Sequence, residues 1–307
     1  MEEKIISILS EIDHQELYGT LFYAKNSQKA LVAVFHGMAE HRHRYHYFAE
    51  QLVNDGYVVL TCDHRGHGDS GAVLGYFAKE NGWFVNLEDL HQLVTEAKKQ
   101  FPKLPTIIFG HSMGTLFARS YLKRFEKEIV GMVLSGTPAE NPLATIGNNV
   151  AGVIRTFKGE HYRSKLLDNM SFGSFNKVVD NPKTDFDWLS KNADNVHAYI
   201  ADEKCGYIFT TRGFQDVTVG LKDVYSPEGW TKEDSNLPIA FFSGGEDPCS
   251  CVKNGFENAV EKLKSFGYRN VTSKIYPKLR HEILNEDDKN EVIKDIIDFM
   301  DTEIMKK

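Results

Sequence analysis

The chain changes period repeatedly along its first half, and that alternation constrains its fold more than any other feature. ALVAVFHG (30–37), GYVVLTCDH (56–64), TIIFG (106–110) and EIVGMVLSG (128–136) are apolar through most of their length. Between them, apolar residues recur at helical spacing: Phe48 and Leu52; Leu87, Leu90, Val94 and Ala97; then Leu116, Phe117 and Tyr121. Strands apolar on both sides need cover on both faces, and strands separated by helices of this length pair in parallel through crossovers. The expected fold class is therefore α/β, a mostly parallel central sheet flanked by helices. Two earlier runs, IISIL and LYGTLFYA, read as an antiparallel pair at its edge.

The rhythm breaks after Pro138. From about 140 to 236 the chain is richer in Asn, Asp and Lys and carries scattered aromatics, among them Phe157, Phe172, Trp188, Tyr199 and Phe214. That apolar content is too high for disorder, so the stretch reads as a mainly helical cap inserted after the fourth parallel strand. The pattern returns with NLPIAFFSGGED (236–247), a helix over about 251–266, VTSKIYP (271–277) and a helix around 289–304. The layout is a core of 1–139 and 237–307 interrupted by a cap of 140–236.

Composition narrows the partners. With 41% hydrophobic and 26% charged residues among 307, a sizeable core can form. A net charge of -7 without a basic block disfavours nucleic acid. No run reaches the ~18 to 20 apolar residues of a membrane span. The start, MEEKIISILSEIDHQEL, lacks the basic n-region of a signal peptide. Cys62, Cys205, Cys249 and Cys251 form no CxxC pair, which suits reduced thiols in a cytoplasmic protein.

Within this frame GHSMG (110–114) stands out, because it joins a strand to an amphipathic helix through a turn with glycine on both sides of a serine. A Cβ at Gly110 or Gly114 would meet the neighbouring helix or strand, and the turn would lift the Ser112 hydroxyl to the carboxyl end of the sheet. A serine needs a base and a group to orient the base, in the chain order Ser, acid, His on such a sheet. After Cys249 the chain holds one histidine, His281. The acid falls at GGEDP, where Asp247 is preferred and Glu246 is the alternative. Backbone N–H groups of Met113 and Met38 are the expected oxyanion donors by position. His41, His43 and His46, and His64 and His67 beside Asp63, lack the spacing of a structural zinc site. No metal and no cofactor are expected, and Cys249 and Cys251 read as packing beside the Asp247 loop.

Together HGMAEH (36–41), DHRGHGDS (63–70), GHSMG, GGEDP (244–248) and RHEILNE (280–286) resemble the α/β-hydrolase superfamily, and within it the monoacylglycerol lipase and lysophospholipase branch, also called serine aminopeptidase-like or hydrolase-4. The resemblance implies Ser112, Asp247 and His281 as a triad, Met38 and Met113 at the oxyanion hole, and a lid near 140–236. It implies a serine esterase acting on a small, lipid-like ester such as a monoacylglycerol or lysophospholipid. Met38 and the GGEDP sequence depart from the lipase pattern, which leaves the substrate open. A thioesterase, peptidase or acyltransferase would use the same machinery, and a non-catalytic binder would not need it. Dehalogenase or epoxide hydrolase chemistry would place Asp where Ser112 stands. The oligomeric state has no sequence signature.

Overall fold

In the strand β3 (Leu31–Phe35), Leu31, Ala33 and Phe35 join one apolar cluster while Val32 and Val34 join another. That two-residue alternation of apolar side chains on both faces forces cover on each side of the sheet. The computed structural model describes residues 1–26, 28–230, 232–250 and 254–306. Its sheet has eight strands, with β1 (Glu2–Leu9), β2 (Glu16–Tyr23), β4 (Val58–Cys62), β5 (Thr106–His111), β6 (Gly131–Ser135), β7 (Ile239–Gly244) and β8 (Val271–Tyr276) around β3. Their order is β1-β2-β4-β3-β5-β6-β7-β8. The first pair is antiparallel, β2 meets β4 antiparallel, and β3 to β8 run parallel.

On one face lie α2 (Gly82–Gln100), α3 (Met113–Phe125) and α8 (Gly255–Ser265), contributing Leu90, Phe117 and Phe256. On the other lie α1 (His46–Asn54) and α9 (Lys289–Phe299), contributing Leu52 and Ile296. The last helix continues as a wider turn over Met300–Ile304. The helix expected from about 251 begins at Gly255, and residues 251–253 lie outside those described. Among the described residues no helix is long and apolar enough to cross a membrane.

Between β6 and β7 stand α4 (Ala144–Lys158), α5 (Lys165–Phe172), α6 (Ala193–Ala201) and α7 (Thr211–Tyr225). Side-chain caps start three of them: Ser164 accepts from Leu167 N, Asn192 from Asp194 N and Asn195 N, and Thr210 from Gly213 N. They do not form one separate layer. α7 packs on α2 and α3 of the core as well as on α4.

Trp83 marks that junction. Its ring stacks on Phe117 with centroids 3.7 Å apart, and its Nε1–H donates to Ser120 Oγ at 3.1 Å. From α7, Gly220 lies so close that a Cβ there would overlap the indole. Three helices thus meet on one buried ring. Trp83→Ala should lower unfolding free energy by about 3–5 kcal/mol, read as the urea midpoint at unchanged slope. A loss below about 1 kcal/mol would show that the helices close over the gap.

Candidate active site

The loop that joins β5 to α3 holds Ser112 at φ 50° and ψ -119°, a backbone that residues with a side chain rarely adopt. Such a residue costs on the order of 1–3 kcal/mol and persists only where its surroundings enforce it. Two hydrogen bonds do so: Ser112 N–H donates to Ser135 O at 2.9 Å, and Ser112 O accepts from Thr115 N at 2.9 Å. The glycines are steric necessities. A Cβ on Gly114 would overlap the Phe35 carbonyl of β3, and one on Gly110 would overlap the first turn of α3. The half-buried Ser112 side chain faces a cavity of about 420 Å³.

His281 lines the same cavity and is 2% exposed. Its Nδ1 lies 2.9 Å from Asp247 Oδ2, behind the cavity wall. Asp247 is buried, and it also accepts from Cys249 N–H at 2.8 Å and Ser250 Oγ at 2.5 Å. Glu246, the alternative acid, points outward to Lys191 Nζ at 2.6 Å. Burial alone would push the Asp247 carboxyl up; the facing imidazole and these donors outweigh it and hold it below the usual range. Burial alone would push His281 down; Asp247 outweighs that and raises it above the ordinary imidazole value. The neighbouring His111, its ring 4.8 Å from His281, is pushed to about 4 by burial and then by that second imidazole.

The loop after β3 closes the other side. Gly37 sits so near the elbow that a Cβ on it would stand 3.2 Å from Ser112 Cβ. Met38 follows in the cavity wall, and no hydrogen bond among the described residues takes up the N–H of Met38 or of Met113. Ala39 O accepts from Gly206 N–H and Tyr199 O–H, both at 2.9 Å.

Beneath this loop lies a cluster not legible in the sequence. His36, His64 and His67 are all buried, with ring centroids 4.2, 5.0 and 5.7 Å apart. His64 N–H donates to His36 Nε2 at 3.1 Å, and Ala39 N–H donates to His67 Nε2 at 3.3 Å. His64 and His67 thus form part of the floor of the 37–39 loop. The histidines 41, 43 and 46 diverge: His41 turns to Asp202 at 2.7 Å, His43 to Asp69 at 3.4 Å, and His46 stands edge-on to Phe22. His41 does meet Asp202 and Cys205, with one potential ligand atom from each within 4.8 Å of the others. Asp247, Cys249 and His281 come equally close, and Cys251 lies outside the described residues.

Burial lowers all three imidazoles beneath the 37–39 loop, His64 to about 3. In the unfolded chain they protonate near ~6.5. Below that pH the unfolded state takes up protons that the folded state refuses, so their contribution is intact above about 6.5 and lost as pH falls toward the folded values. His111, pushed to about 4, acts in the same direction; His281 and the buried carboxyl of Asp216, raised to about 7, have the opposite sign and offset only part of the four. The urea midpoint should therefore drop steadily from pH 7 to pH 5; a midpoint constant over that span would contradict buried neutral imidazoles.

The chain is similar to known proteins in sequence and fold. A family model described as serine aminopeptidase, S33, matches residues 26–288. A monoacylglycerol lipase of Mycolicibacterium smegmatis is 31% identical over 268 residues, 87% of this chain and 86% of that one. A solved structure of a highly thermostable carboxyl esterase from Bacillus coagulans, in complex with glycerol, aligns at TM-score 0.90 and 27% identity over 99% of both chains. A lipase in its open form aligns at TM-score 0.87 over 100% of both chains, and at 24% identity it speaks for the α/β-hydrolase fold alone.

Proposed function

This chain belongs to the serine aminopeptidase, S33, family of α/β-hydrolases, and on that premise we propose that it hydrolyses carboxylic esters of lipid-like substrates through Ser112, His281 and Asp247. One observation carries the reading: a strained serine and a histidine share one cavity, and that histidine is held from behind by a buried carboxylate at 2.9 Å.

In the reaction, His281 Nε2 takes the Ser112 proton as Oγ bonds to the ester carbonyl carbon. The carbonyl oxygen becomes an oxyanion facing the N–H groups of Met38 and Met113, and the N-terminus of α3 adds its positive end. Collapse breaks the bond to the alcohol, which leaves with the proton from His281. Water then attacks the acyl-enzyme while His281 accepts its proton, and the acid departs with Ser112 restored. Asp247 stays ionised and fixes the ring, so Nε2 is the nitrogen left to act.

Residues 140–236 act as the cap in this reading. Asp168, Phe172, Trp188 and Tyr207 of that segment complete the cavity wall. The lining combines aromatic rings with Asn169, Asn176, Asp168 and Asp185, which suits an apolar acyl chain with a hydroxylated head. The carboxylates oppose an anionic head. Outside, Ile146, Val153 and Phe157 lie at helical spacing on α4 and are exposed, Phe157 by 81%. An exposed apolar face of that kind on the cap favours lipid-like substrates. The names of the relatives, monoacylglycerol lipase and carboxyl esterase, point the same way.

Fatty-acid release from monoacylglycerols and lysophosphatidylcholines over a series of chain lengths tests the reading. Ser112→Ala should fold as the parent does and lose at least about 10³ in kcat; parental turnover in a clean preparation would sink the nucleophile assignment. Activity confined to thioesters, peptides or short esters would keep the triad and remove the lipid. The base must be neutral to act, so kcat/KM should fall with acid through a pKa above the ordinary imidazole value. A flat profile from pH 5 to 9 would exclude His281 as the base.

A further inference from the structure

A buried charge network in the cavity wall joins the 37–41 loop, the loop of His281 and the cap. Arg44, on the turn after the 37–41 loop, donates to Glu40 Oε2 at 2.7 Å and to both oxygens of Glu282, at 2.6 and 2.8 Å. Glu40 uses its other oxygen, Oε1, to accept from Gly37 N–H at 2.5 Å and Tyr45 O–H at 2.8 Å. Glu282 directly follows His281 in the chain, and its own N–H donates to Leu189 O at 2.8 Å. From α6, Asn195 Oδ1 accepts from Arg44 at 3.1 Å while its Nδ2 donates to Glu282 at 2.7 Å. The guanidinium also stands 4.9 Å over the ring of Tyr199, whose O–H donates to Ala39 O. Both carboxylates are almost fully buried.

We propose that Arg44 is the positioning residue of this site: one guanidinium fixes the oxyanion loop through Glu40 and the base-bearing loop through Glu282, and it registers the seating of the cap through Asn195 and Tyr199. The inference rests on the esterase reading above. Glu40 explains why. It holds the peptide N–H of Gly37, one residue before the proposed oxyanion donor Met38, so its placement sets the direction of the next N–H. The planar fork grips Glu282 through two nitrogens while still reaching Glu40 and Asn195; a lysine ammonium carries its three donors on one atom and cannot reproduce that bidentate geometry. Turnover then depends on the cap being seated through its α6, because the same hydrogen bonds that hold Asn195 hold the two loops.

The test compares Arg44→Lys, Glu40→Ala, Glu40→Gln and Asn195→Leu in the full chain, using p-nitrophenyl butyrate as a soluble ester. Misplacing reacting groups by about 1 Å costs on the order of 10²-fold. Arg44→Lys and Glu40→Ala should therefore lose about tenfold or more in kcat, with KM within about threefold of the parent and unfolding still cooperative. Glu40→Gln keeps an acceptor for Gly37 N–H and should recover most of what Glu40→Ala loses. Asn195→Leu should fall between.

A second readout is independent of turnover: titration of His281 by NMR of labelled imidazoles. The groups around that ring are Asp247, Cys249, Glu282, Glu40 and His111, with Arg44 beyond the two glutamates. Glu282→Gln should lower the His281 pKa and Arg44→Lys should shift it. Parental kcat in Arg44→Lys, equal activity of the two Glu40 variants, or an unmoved His281 titration would each overturn the proposal. Should Arg44→Lys fail to fold, the Glu40 pair and the Glu282→Gln titration decide it. Turnover by Ser112→Ala would defeat the esterase reading instead, and the imidazole titration would still report on the network.

Discussion

Everything at the site is placed by a contact that allows no side chain, the approach of Gly114 to the Phe35 carbonyl. That approach brings the first turn of α3 against the end of β3. It sets the elbow and the 36–39 loop side by side, with Gly37 backed onto Ser112. The strain at Ser112 is tolerated because Ser135 and Thr115 hold its backbone from both sides. A larger residue at 114 would separate α3 from β3, and the helix N-terminus would no longer face the space above the serine. The strands supply rigidity, and the turn converts it into an exposed hydroxyl.

What could be read from the chain follows the range of each interaction. Period and glycine placement are local, so the strands, the elbow and the antiparallel edge pair were legible. His281, the base we propose, was singled out by elimination, since chain order asked for a histidine late in the sequence. Asp247 was preferred over Glu246 only on the character of the GGEDP turn; neighbours on a turn face opposite ways, and the fold shows one inside and the other on Lys191. The position of α7 was hidden for a related reason. Its amphipathic pattern says that it buries one face, not that the face meets Trp83 on the core rather than the rest of the inserted segment.

The charge network lay further out of reach. Arg44 and Glu282 are separated by 238 positions, and nothing in RHRY or RHEI announces the other. The same holds for His36 with His64 and His67, which look like punctuation after two strands. Parallel neighbours end at the same edge, so polar residues just past β3 and β4 converge. That rule of topology was available once the sheet was inferred, and it is the signal by which such a cluster can be sought.

Two kinds of buried group meet around the 37–40 loop, and they divide the electrostatic work. The three imidazoles beneath it stay neutral because burial outweighs every partner they have. They brace the loop without adding charge. Behind it, one guanidinium and two carboxylates leave a net negative balance beside His281, and Asp247 adds to it from the other side. A cation forming on His281 is thereby favoured, while His111, equally buried but facing that imidazole, is driven the other way. Two adjacent histidines thus acquire opposite characters: both feel Asp247, Glu282 and Glu40, but His281 is hydrogen-bonded to Asp247 whereas His111 faces an imidazole. Both rings line the cavity with Ser112, and of the two it is the one backed by Asp247 that is prepared to carry a proton.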